Sequence, residues 1–199
     1  MAEWLTYRLS DLLMFSPRTY WRLVELYNRD LWPAHAVAVV AGALLLWVAR
    51  PGPHSTRLCA LLLALAWFWV AWGFHWQRYA QIHLAAPWFA AAFALQGVML
   101  LAWGLRWRET GEVELPALRA LGWALAAAGV LAYPFVGFVS GRPPVQAEVA
   151  GLMPDPTALA TLGVLLAVAG GTALRSLLCA IPLAWLLVAA ATHWTMAAQ

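Results

Sequence analysis

The chain has 199 residues, of which 64% are hydrophobic and 11% charged, against roughly 25% charged in an ordinary water-soluble domain. A soluble fold of this size cannot hide so much apolar surface, and a dispersed net charge of +3, carried on the basic side only by Arg, leaves no footprint for nucleic acid. Two cysteines, Cys59 and Cys179, both in apolar stretches, supply neither a disulfide framework nor a CxxC metal knuckle.

The first residues, MAEWLTYRLSDLL, place Glu3, Arg8 and Asp11 where a signal peptide needs an uninterrupted apolar run. The chain is therefore expected to start near Met1 without cleavage. Ser16 followed by Pro17 is a helix start, a capping hydroxyl with proline at the first helical position. From there Tyr20, Val24, Tyr27 and Leu31 recur at helical spacing, while Arg18, Arg22, Glu25 and Arg29 form a polar stripe. Residues 1–32 are thus read as an N-terminal segment carrying an amphipathic interfacial helix. Lipid and a docked partner satisfy the pattern equally.

Charges and turn residues divide residues 33–199 into apolar blocks near 33–49, 57–76, 84–105, 117–139, 157–173 and 176–194. Each approaches the roughly 20 residues that cross about 30 Å of hydrocarbon. The expected fold is all-α: a polytopic integral membrane protein with six transmembrane helices behind the interfacial helix. A soluble bundle would need polar outer faces that these segments lack. The run from Thr157 to Trp194 is too long for one crossing, and Gly170, Gly171 and Arg175 mark its turn. Gly97 and Gly104, Gly122 and Gly129, and Gly163 and Gly170 stand seven apart. Each pair returns to nearly one helix face and opens a groove for close helix packing.

Six crossings put both termini on one side. Arg50, Arg57, Arg106, Arg108 and Arg175 lie in links on the other side, against Arg78 and Arg142 in links on the terminal side. Despite Arg8, Arg18, Arg22 and Arg29, the link count leans towards periplasmic termini in a bacterial inner membrane.

No ionisable group lies centrally in any span, which disfavours proton-coupled transport. Gln96, Tyr133, Thr161 and Thr172 are the polar groups at depth, as a solute path or as contacts between helices. Crossing parity puts His35, His75, His83 and His193 on one face with Asp155. Imidazoles and a carboxylate suit a transition metal or a haem, while histidine beside Trp76 and Trp194 equally suits an interfacial aromatic belt. Ser140 lacks the first glycine of the Gly-x-Ser-Gly motif of rhomboid-type proteases and ends its span instead of opening it. No catalytic residue is assigned.

The strings FSPRTYWRLVELYNRDLWPAH, YAQIHLAAPWFAAAFALQGVMLL, PDPTALATLGVLL and IPLAWLL together resemble an uncharacterised bacterial membrane protein family known only as a domain of unknown function. The resemblance covers nearly the whole chain and implies a six-span protein with no assigned activity. Two positions depart from its pattern. Pro154-Asp155-Pro156-Thr157-Ala158 stands where the family reads Pro-Cys-Pro-Thr-Thr, and His83-Leu84 where it reads Asn-Pro.

The favoured reading is a non-enzymatic accessory or anchoring component of a membrane assembly, in contact with the phospholipid bilayer and with a membrane-protein partner or a second copy. The alternatives are a transporter or channel for a small neutral or apolar solute, and a metal- or haem-binding redox component. The cofactor is left open.

Overall fold

The computed structural model describes residues 14–49, 53–106, 115–168 and 172–199. Gly170 and the turn expected at Gly170 and Gly171, together with Arg8, Arg50 and Arg108, lie outside them. Among the described residues the regular structure is helical, with one isolated bridge between Ala150 and Met153.

Helix α1, Pro17–Asp30, begins where the capping pattern predicts, with the Ser16 hydroxyl accepting from the Thr19 amide at 3.2 Å. Glu25 pairs with Arg22 and Arg29 on its outer face, each at 2.7 Å. Its apolar stripe turns onto the protein: Tyr20, Val24 and Tyr27 are buried in the main core. Relative to water, each such burial stabilises by roughly 1.5–3 kcal/mol. Tyr27 donates its hydroxyl proton to the Leu152 carbonyl, and Asn28 donates to the carbonyls of Val145 and Ala147. Helix α1 is thereby strapped across one end of the bundle, and α2, Ala34–Val48, leaves it at an angle of 91°.

Helix α3, Pro53–Trp69, widens into a π-helical stretch at Val70–Trp76. Helix α4 spans Ala86–Leu105. Helix α5, Pro116–Ala127, passes through a π-helical stretch, Ala128–Ala132, and a 3₁₀ turn, Tyr133–Phe135, into the short α6, Val136–Val139. The irregularity falls where Pro134 withholds an amide proton from the ladder. Helix α7, Pro154–Val168, is central, with thirteen of its fifteen residues buried. Helix α8, Thr172–Ala197, closes the bundle.

Four runs are long and apolar enough to cross a membrane, namely His54–Gln81, Ala86–Leu105, Pro116–Val139 and Ala173–Ala197, and a fifth if the bent α1–α2 pair counts as one. At 1.5 Å per residue the fifteen described residues of α7 cover about 22 Å, against the roughly 30 Å of hydrocarbon. Its burial on all sides removes the need to match the lipid. The outside of the bundle is apolar, with Val37, Trp47, Leu65, Trp88, Leu131 and Leu187 all exposed, as a lipid-contacting surface requires.

Glycine decides how α5 meets α7. A methyl group on Gly122 would stand 2.6 Å from the Ala167 nitrogen, and one on Gly129 would stand 2.6 Å from the Ala160 nitrogen. One on Gly163 would overlap the Ala126 backbone. The two backbones touch, as a small-residue crossing allows. On α4, Gly104 faces Ala60 and Gly97 faces the Phe68 ring. Between α2, α3, the Ala128–Ala132 stretch and α7 lies a cleft of about 540 Å³ walled by residues such as Val37, Ala41, Leu45, Leu62 and Val130. Gln96 does not line it.

Instead, the Gln96 side-chain amide donates to the Leu178 carbonyl at 3.0 Å, in the buried contact of α4 with α8. Leu178 stands four residues before Pro182, which sits inside α8 and has no N–H to offer that carbonyl. Thr161 is similarly engaged, accepting from the Trp67 indole at 2.8 Å and donating to the Thr157 carbonyl at 2.7 Å. Gln96→Met should therefore cost about 1–3 kcal/mol by stranding a buried carbonyl. In a Pro182→Ala background, where the introduced alanine restores the helical donor, the same change should cost distinctly less. Thermal unfolding of the four proteins of this cycle in detergent checks it; equal costs in both backgrounds would dissociate Gln96 from Pro182.

Candidate functional site

The buried charge of the described residues gathers at the end of the bundle beneath α1. Asp155 is the second residue of α7, flanked by Pro154 and Pro156, which favour a helix start. The positive end of the helix dipole stabilises a carboxylate there. Asp155 is 2% exposed and meets three donors. Trp185 Nε1 donates to Oδ1 at 2.9 Å, and Tyr133 Oη and His193 Nε2 donate to Oδ2 at 3.2 and 2.9 Å. Tyr133 reaches it from the 3₁₀ turn after the α5 irregularity, and Trp185 and His193 come from α8.

Glu148, in the link between α6 and α7, supplies a second carboxylate. It is 3% exposed; Oε2 accepts from Arg142 Nη1 at 3.3 Å, and Oε1 has no partner. Burial, reinforced by the negative charge of Asp155 and opposed by His193 and Arg142, pushes the Glu148 carboxyl up to about 7 from its ordinary 4.5. The Arg142 guanidinium lies 3.6 Å from the centroid of the Trp21 ring. Trp21 in turn stacks on the His193 imidazole, the rings 15° from parallel and 5.8 Å apart. One ligand atom each from Glu148, Asp155 and His193 lie within 4.8 Å of one another. Such a set of two carboxylates and an imidazole can hold a proton between its members or a cation among them.

The histidines expected together divide. His193 pairs with Asp155. His75 is fully buried in the α3 π-helical stretch, ringed by Phe93, Trp185, Phe89 and Tyr79 at 4.5–6.0 Å, and neither of its ring nitrogens has a hydrogen-bond partner. It touches Trp185 but does not face Asp155 directly. His83 joins the same aromatic cluster through Tyr79 at 5.0 Å, and its Nδ1 accepts from the Ala85 amide. Burial lowers its pKa, which favours the neutral ring. His35 lies apart, donating through Nε2 to Asn28 Oδ1 at 3.2 Å. Ser140 is exposed and donates to the Val136 carbonyl, as a helix-end residue does.

The sequence profile described as "Family of unknown function (DUF6064)" matches residues 18–198. The chain belongs to this family. No curated protein and no solved structure is detectably similar to it.

In this DUF6064 protein the position of Asp155 is the one where the resemblance above sets a cysteine between two prolines. A carboxylate there can accept three hydrogen bonds at once, which a thiol does not. Glu148 was not among the residues singled out from sequence, although it is the one acidic residue between Ser140 and Pro154.

The direction of the Glu148 shift fixes a pH dependence. A carboxyl whose folded pKa lies above its unfolded value contributes stability that is fully present below about 4.5 and is lost as pH rises through about 7. In metal-free protein the melting temperature should accordingly fall between these limits. Glu148→Gln, which keeps an acceptor for Arg142 but cannot ionise, should flatten that slope. An unchanged slope would place the titration elsewhere.

Proposed function

We propose that the protein is a six-span membrane protein of the bacterial inner membrane that works by binding and not by catalysis, as an accessory component of a membrane assembly. Its spans are α2, α3, α4, the α5–α6 run, α7 and α8, with α1 on the surface. Its binding element is the polar chamber of Arg142, Glu148, Asp155 and His193.

The observation that carries this reading is the separation of the polar groups. At depth, Gln96 and Thr161 are spent on contacts between helices, which supports packing over passage of a solute. At the end under α1, a carboxylate oxygen is buried without a partner beside a second carboxylate and an imidazole. Polar groups of this kind, withdrawn from water and gathered in one place, are the feature of a binding site. The exposed stripe of Arg18, Arg22 and Arg29, on a helix whose other face is anchored to the bundle, offers a rigid charged surface for the assembly. Parity places α1 and the C-terminus on one side, and the Arg count of the links favours the periplasm.

Reporter fusions after Gln199 and after Asp30 should therefore report the same side of the membrane. Opposite sides would remove one crossing, α7 first. Mild-detergent purification should retain a stoichiometric membrane partner, and Arg18→Gln, Arg22→Gln and Arg29→Gln together should release it, while the loss of the two exposed pairs to Glu25 costs the fold only about 0–1 kcal/mol each. A protein that purifies alone under all conditions overturns the accessory role.

A further inference from the structure

We propose that Glu148, Asp155 and His193 form a binding site for a single divalent transition-metal ion of the Mn²⁺, Fe²⁺ or Zn²⁺ class. The inference rests on the reading of the chamber as the binding element and names what it binds.

Two stretches distant in sequence contribute the groups: the α6–α7 link running into the first turn of α7, and the last turns of α8. Their ligand atoms already lie within 4.8 Å of one another, with His193 Nε2 and Asp155 Oδ2 at 2.9 Å. Bonds of roughly 2.0–2.2 Å hold two ligands at most about 4.4 Å apart across an ion. Three ligands cannot all lie opposite one another, and at tetrahedral angles they stand about 3.4 Å apart, so the widest separation closes by up to about 1.4 Å. The further observation is Glu148 Oε1, a buried carboxylate oxygen with no hydrogen bond. A native fold rarely leaves such an atom without a partner.

Neighbouring side chains hold two of the three ligands in place. Tyr133 and Trp185 donate to Asp155 and fix its carboxylate plane, while Trp21 and Tyr20 pack on the His193 ring at 5.8 and 6.2 Å. Such contacts orient the ligands and tune the ion. Two carboxylates and an imidazole are oxygen-rich and borderline, which selects against Cu⁺ and for the metals named. Two carboxylates, a neutral imidazole and Arg142 sum to −1, so a dication leaves +1. Arg142 and the α7 dipole oppose the ion, which makes Arg142 a control. Its removal should tighten binding, whereas the loss of a purely structural ion pair would not.

The full-length, untagged protein in detergent is stripped with a chelator and titrated calorimetrically with Zn²⁺ and with Mn²⁺. Co²⁺ absorption reports the ligand set. The expected result is one ion per chain and a metal-dependent rise in melting temperature. Glu148→Gln, Asp155→Asn and His193→Gln should each weaken binding at least tenfold, and Arg142→Gln should strengthen it several-fold. Glu148→Gln keeps the size and acceptor of the native side chain, so its loss of affinity can be read in a folded protein. No saturable binding up to about 1 mM, or binding that the three ligand variants leave intact, overturns the site. Same-side reporter fusions in a protein that binds no ion would overturn the metal alone and leave the six-span reading standing.

Discussion

Where water is excluded, every carbonyl and carboxylate must find a donor inside the protein, at a cost of several kcal/mol for each that does not. Most of the described side-chain hydrogen bonds of the bundle answer that constraint. Pro182 strands the Leu178 carbonyl, and Gln96 meets it from α4. Thr157 binds the Met153 carbonyl and accepts from the Gly151 amide, closing the turn that leads into α7. Tyr27 and Asn28 meet the carbonyls of the irregular link from residue 145 to 152. That link has little regular structure of its own to satisfy its backbone. Helix α1 supplies what the link lacks, and so the link can fold back over the bundle and deliver Glu148 to Asp155.

The second determinant is how near two backbones can come. Gly122, Gly129 and Gly163 let α5 and α7 touch along their length, which places the α5–α6 run beside the first turn of α7. Tyr133 follows Gly129 by about one turn and lands against Asp155. A bulkier crossing would hold the helices apart by more than a hydrogen bond can span, so the packing glycines and the chamber are parts of one arrangement.

The apolar blocks and the Ser16-Pro17 cap were legible because each rests on local chemistry: run length, a side-chain acceptor, a proline. The described helices follow the blocks to within a few residues, apart from the irregular stretches in α3 and α5. The α5 stretch falls at Pro134, which a hydropathy pattern does not register. The pairing of Asp155 with His193 joins two residues that parity had put on one face. Parity carries no distances, however, and it could not separate His35, which the Trp32–Pro33 turn holds near Asn28, from His193. Glu148 was invisible for a different reason. It lies in a proline-rich polar link, where an acidic residue is ordinarily solvated, whereas here the carbonyl bonds from Tyr27 and Asn28 hold the link against the bundle. The available signal was its isolation: one acidic residue, six positions after Arg142 and seven before Asp155.

Access to the chamber follows from what covers it. Lifting α1 would break the Tyr27 bond to Leu152, both Asn28 bonds, the 2.6 Å pair of Arg78 with Asp30, and the contact of Arg142 with Trp21. At about 0.5–1.5 kcal/mol for each neutral hydrogen bond, before any burial of Tyr20 and Val24 is counted, that route is closed on ordinary thermal terms. Glu148 and Asp155 are sealed, with side-chain exposures of 2% and 3%, but the His193 side chain retains 33%. An ion or a proton arriving from outside would therefore meet the imidazole edge first and the carboxylates behind it. Trp21 stacked on one face of that ring holds the entrance in place without blocking its edge.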